Sequence, residues 1–139
     1  MNPSMNLGRA SEYLVTSKLL NECREVYLPA VDDHGVDMLV RTTDTKNLHQ
    51  YQEIQVKSIS RGGLFAAISC PNPASNYWYV FYIKDIDTMW LINSVDFVKL
   101  ASQNIQGKNI GKYTISLTNK KGLVDKYKKY VINDFTILP

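Results

Sequence analysis

Five polar residues in the first 60 positions have types and spacings suited to chemistry on a phosphate ester: Glu12, Asp37, Glu53, Gln55 and Lys57. Glu12 shares a helical stripe with Gly8, Val15 and Leu19, at spacings i, i+4, i+7 and i+11. A carboxylate on a stripe fit to pack against a sheet needs a partner or a metal. Asp37 interrupts Val36, Met38 and Val40 in a run that otherwise reads as a strand, and aspartate is depleted in strands. In Glu53-Ile54-Gln55-Val56-Lys57, alternation sends Ile54 and Val56 to one face and the three polar residues to the other. Carboxylates beside a lysine suit phosphate chemistry, because Mg²⁺ takes oxygen ligands while an ammonium stabilises charge growing on phosphate oxygens. Each residue alone also has an ordinary explanation as a solvated strand or helix position. His34, in the turn before Asp37, is a secondary candidate for contacting water or phosphate.

These residues must be placed by the elements around them. Residues 6–21 read as a helix, with Ser4 or Asn6 available as its cap. Strands are expected over 24–30, 35–42, 51–60 and 64–69, with turn-forming composition at 31–35 and 61–63. A Pro- and Asn-containing loop over 70–76 leads to two aromatic and β-branched strands, 78–85 and 88–94. The first has apolar residues on both faces: Trp78, Val80 and Tyr82 on one, Tyr77, Tyr79 and Phe81 on the other. It is therefore expected as a buried interior strand. A helix capped by Ser94 is expected over 94–105, a strand over 112–117, and a C-terminal helix over 122–135 placing Val124, Tyr127 and Val131 on one face. Strands clustered between helices predict an α/β (α+β) fold with a mixed central sheet.

Composition sets the outer bounds. The chain has 139 residues, 45% hydrophobic and 21% charged, which suits one folded unit over 1–139 and argues against wholesale disorder. Its apolar runs fall short of the ~18–20 residues that span a bilayer, and no secretory signal is visible, so no membrane role is expected. Cys23 and Cys70 stand apart without a metal-finger spacing, and a reduced, cytoplasmic protein is the simplest expectation. The net charge of +3 combines unlike parts: residues 1–60 carry −2 and residues 61–139 carry +5. Lys108, Lys112, Lys120, Lys121, Lys126, Lys128 and Lys129 hold most of the late positive charge, as a polyanion-binding surface or a solvated lysine-rich one would.

Taken together, GRASEYLVTSKLL, VYLPAVDDHGVDMLV and YQEIQVKS resemble the PD-(D/E)XK nuclease superfamily over roughly residues 8–58. They are nearest its Mrr-like and archaeal Holliday-junction-resolvase-like branches, with a QxK variant of the motif. The resemblance implies a restriction-endonuclease-like αβββαβ core and a metal-dependent DNA endonuclease using Mg²⁺ or Mn²⁺. By that resemblance Asp37 is the metal-binding aspartate, Lys57 the motif lysine and Glu12 the helix glutamate, while Gln55 stands where Asp or Glu is usual. Catalysis would fall to Lys57, Asp37, Gln55 and Glu12, and metal binding to Asp37, Gln55, Glu12 and Glu53. Ser58, Arg61, Lys120, Lys121 and Lys128 are candidate DNA contacts. An amide brings oxygen without charge, so a weak or inactive nuclease-fold module that binds nucleic acid or a protein is the alternative. A homodimer would supply two active sites for cutting two strands.

Overall fold

The computed structural model describes residues 2–31, 35–69, 72–117 and 126–139, without the side chains of Phe65 and Ala67. Helix α1 runs from Pro3 to Asn21. It starts earlier than the apolar spacing predicts because Asn2 caps it, accepting the Ser4 N–H at 3.0 Å, and Pro3 tolerates the first turn. Ser11, Val15 and Leu19 form its buried line, which puts Glu12 at the shoulder of that line, half-buried. The helix ends at Asn21, and just beyond it Cys23, an exposed free thiol, turns the chain away at φ 60°.

Strands β1 (Glu25–Tyr27), β2 (Met38–Thr43) and β3 (His49–Ile59) form an antiparallel meander. Asp44 closes the β2–β3 turn, its carboxylate accepting the N–H groups of Lys46 and Leu48 at 2.9 Å each. Strands β4 (Leu64–Ile68), β5 (Tyr77–Ile83) and β6 (Thr88–Asn93) follow, then helix α2 (Ser94–Leu100), β7 (Ser102–Gln103), β8 (Tyr113–Leu117) and β9 (Val131–Ile132). The central sheet has the order β1-β2-β3-β5-β6-β9, and a smaller sheet has the order β4-β8-β7. Among the described strands β3 and β5 are the parallel pair, so the central sheet is mixed, as expected.

Parallel neighbours need a crossover. Here it passes through β4, as the strand-like LFAAIS run predicts, where the αβββαβ resemblance would put a helix. Strand β5 is interior and buried on both sides, also as expected. Val80 and Tyr82 join a core beneath α1 with Val15, Leu19, Ile54 and Phe135. Tyr79 and Phe81 join a second core with Leu64, Ile92, Phe97 and Ile115, between the two sheets. Helix α2 is shorter than its pattern predicts and is capped by Asn93, which accepts the Val95 N–H at 3.0 Å. Ser94 is fully buried, and its hydroxyl bonds both the N–H and C=O of Ala74 at 2.9 and 2.8 Å.

Of the expected C-terminal helix, Lys126 and Tyr127 are helical and the described remainder is corrected; residues 122–125, including Val124, lie outside the described residues. Lys128–Tyr130 make one 3₁₀ turn, and β9 then pairs with β6, Ile132 against Met89 and Val131 against Trp90. Two β-branched residues beside an open sheet edge are better placed as strand than as helix. Beyond them Phe135 and Leu138 insert into the core beneath α1. Arg24 holds that strap by donating to the carbonyls of Phe135 and Leu138 at 3.0 Å and of Pro139 at 2.7 Å. Glu22 accepts the Phe135 N–H at 2.8 Å. Among the described residues no helix is long and apolar enough to cross a membrane.

Candidate active site

Asp37 lies immediately before β2, where the meander opens. Its N–H donates to the Ile54 carbonyl at 2.8 Å, and its Oδ2 accepts the Val56 N–H at 2.6 Å. The aspartate is therefore fixed by both neighbours of Gln55. The short carboxylate contact is a charge-assisted bond, which explains an aspartate at a strand entrance. Gly35, at φ +75°, lets the chain pass close to Gln55. A Cβ at that position would stand 3.1 Å from Gln55 Nε2.

Glu12 arrives from the other side. The Thr16 hydroxyl bonds the Glu12 carbonyl at 2.9 Å and reaches Met38 Sδ at 3.8 Å. That contact docks α1 on the first residue of β2, so the helix turn preceding Thr16 looks onto Asp37. Glu12 and Asp37 accordingly line one cavity of about 260 Å³, together with Arg9, Tyr13 and the Leu28–Ala30 segment after β1. Arg9 Nη1 lies 3.0 Å from Glu12 Oε2 and brings positive charge to the cavity mouth.

Gln55 and Lys57 share a face of β3, as alternation predicts. Gln55 is half-buried and Lys57 exposed, with Ile54 and Val56 buried opposite. The Tyr77 hydroxyl donates to Gln55 Oε1 at 3.0 Å. Tyr77 was expected as part of a buried strand; it is half-buried and bonds Gln55 because β5 runs parallel to β3 with Gln55 beside Tyr79. Its place on the odd-numbered face was legible, but its distance from Gln55 depended on strand pairing.

Glu53 is half-exposed on the same strand face, beside Tyr77 in register, and none of Glu53, Gln55 and Lys57 is among the residues lining the cavity. Ser58 lies with Ser60 and Lys84 along a separate groove against the start of α1, and Arg61 is exposed in the bend that follows. Lys128 is exposed in the 3₁₀ turn. Lys120, Lys121, His34 and Cys70 lie outside the described residues.

The carboxylates lining the cavity are Glu12 and Asp37, with the Tyr13 and Thr16 hydroxyls and the Arg9 guanidinium also on its wall, while the Gln55 amide lies on the adjoining strand. Among the described residues no three His, Cys, Asp or Glu side chains are grouped as a metal cluster. Two carboxylates are nevertheless a chemically suitable set for Mg²⁺, which is commonly bound by one or two with waters and substrate phosphates completing the shell.

No family model matches the chain, and no curated protein matches it. Its fold is similar to the solved structure of a bacterial homing endonuclease, I-Ssp6803I, with a TM-score of 0.58 at 14% identity, covering 87% of this chain and 82% of that one. The chain thus has a mixed α+β architecture of the kind found in a known nuclease.

Proposed function

We propose that this chain is a metal-dependent endonuclease that hydrolyses phosphodiester bonds in DNA, of the restriction or junction-resolving kind. The observation that carries this is the meeting of Glu12 and Asp37, 25 positions apart in sequence, in one cavity beside the Gln55–Lys57 strand. The fold likeness to a homing endonuclease supports the same class.

Asp37 and Glu12 would hold Mg²⁺ or Mn²⁺, with the Gln55 oxygen as a neutral donor and Glu53 as a further carboxylate on that strand. When bound, the cation supplies Lewis-acid stabilisation and lowers the pKa of water. Lys57 orients the attacking water or stabilises charge on the phosphate oxygens. Asp37 keeps its orientation through the Val56 N–H, so its carboxylate is preorganised. Ser58, Arg61 and the late lysines, Lys120, Lys121 and Lys128 among them, would add backbone affinity that weakens with salt. A homodimer would bring two such sites to two strands.

The second reading is a nuclease-fold binding module with weak or no activity. It is favoured by Gln55, which has no charge and whose Oε1 already accepts from Tyr77. Cleavage of supercoiled, linear and branched DNA in Mg²⁺ or Mn²⁺ separates the two. Asp37→Asn and Lys57→Ala should each reduce cleavage by about 100-fold or more, the scale of losing a group that stabilises transition-state charge. Wild-type cleavage that survives both substitutions rules out this site; metal-dependent binding of DNA without any cleavage selects the second reading.

A further inference from the structure

The loop between β7 and β8 exposes two isoleucines, Ile105 at 85% and Ile110 at 64%. Its base is closed by backbone bonds from the Asn104 N–H to the Lys112 carbonyl at 3.0 Å and from the Gly111 N–H to the Asn104 carbonyl at 2.8 Å. Two internal turns, Ile110 N–H to Gly107 O and Lys112 N–H to Asn109 O, brace the tip, with Gly107 and Gly111 at positive φ. Ile105 and Ile110 are therefore the first and last residues enclosed by the Asn104–Gly111 bond of a braced loop, held beside its closed base.

Charge indicates what such a loop meets. From Phe97 to Val124 the chain contains Lys99, Lys108, Lys112, Lys120 and Lys121 and no Asp or Glu. Lys108 lies between the two isoleucines in sequence, and Lys112 follows the second. Two exposed isoleucines beside the closed base of a lysine-bearing loop are complementary to a polyanion that also offers an apolar interior between its stacked bases. The loop is also tied to the candidate site. A ladder of rings runs from Tyr77, which bonds Gln55, through Tyr79 (5.2 Å) and Phe97 (4.8 Å) to Tyr113 (6.5 Å) at the loop's base.

The geometry points to the 104–112 loop as a wedge that inserts Ile105 and Ile110 between adjacent bases of a nucleic-acid duplex, with Lys108 and Lys112 on the flanking phosphates. The inference rests on the nucleic-acid reading above and adds to it a distortion of the substrate. A braced loop suits insertion because little ordering entropy is lost when it binds.

The test uses the full chain in EDTA at low salt, with duplexes carrying 2-aminopurine at successive positions, so cleavage plays no part. Wild type should raise the fluorescence at one or a few probe positions by about twofold or more, as unstacking does. The Ile105→Ser/Ile110→Ser double variant should bind about tenfold more weakly and lose the rise. Ile105→Leu/Ile110→Leu should retain it. Lys108→Gln/Lys112→Gln should flatten the salt dependence by about two counter-ions. Asp37→Asn should leave the fluorescence rise unchanged, which separates failure of the wedge from failure of the cleavage site. Four results would each overturn the wedge: wild type that binds duplex with no rise at any probe, or does not bind duplex; a serine variant that keeps the rise; preferential binding to anionic phosphatidylserine vesicles; or self-association that the serine substitutions abolish.

Discussion

Asp37 is bonded on both sides of Gln55: its N–H reaches the Ile54 carbonyl at 2.8 Å and its Oδ2 accepts the Val56 N–H at 2.6 Å. One residue thus closes the open end of the β2–β3 pairing, through its backbone N–H and its side chain, and presents a carboxylate to the cavity shared with Glu12. Structural and chemical duties are combined at this residue, and substitutions can separate them.

Asp37→Asn keeps an oxygen to accept the Val56 N–H, whereas Asp37→Ala leaves that N–H without its partner. The alanine variant should lose about 1–3 kcal/mol of stability and the asparagine variant clearly less, since a neutral acceptor is retained. Urea denaturation of the two variants measures the difference. Equal losses would show that the bond contributes nothing beyond charge.

Tyr77→Phe removes one hydroxyl and leaves the ring edge-to-face with Tyr79, centroids 5.2 Å apart. Gln55 then loses the donor that orients its amide, a neutral bond worth about 1 kcal/mol. If cleavage is the function, its rate should fall about fivefold, with thermal stability changed little. Steady-state kinetics alongside a melting curve checks this, and an unchanged rate would remove Tyr77 from the site.

Ser11 lies on the buried line of α1 at 2% exposure, and its hydroxyl has no hydrogen-bond partner among the described residues. Ser11→Ala removes the cost of that buried group and improves helix propensity. Stability should therefore rise by about 1 kcal/mol, seen as a higher urea midpoint at constant slope. A lower midpoint would mean that the hydroxyl is satisfied.

Tyr82 is nearly buried. Burial first, and then the hydrogen bond to Asp87 Oδ1 (3.0 Å) and its negative charge, push the phenol above its ordinary 10.0. The folded chain holds this proton more tightly than the unfolded chain does. Its contribution is therefore complete below pH 10.0 and is lost as pH rises through the folded value. Tyr82→Phe should make the alkaline decline of stability shallower, measured by urea midpoints across about pH 9 to 11.

The sequence by itself determined the local elements and the faces of their side chains. Helical spacing placed Val15 and Leu19 inward, and two-residue alternation set Ile54 and Val56 against Gln55 and Lys57. The two-sided apolar run in β5 marked an interior strand. Periodicity reports only which way a side chain points along its own element. Whether Glu12 and Asp37 meet depends on docking α1 at Met38, and the role of Tyr77 depends on the parallel β3–β5 register. The C-terminal segment shows the same division. Its apolar spacing suited a helix, but the edge of β6 was open to a strand, and Arg24, 111 to 115 positions away in sequence, supplied the hydrogen bonds that hold the strap. Long-range partners of this kind leave no local pattern, so the tertiary structure alone decided them.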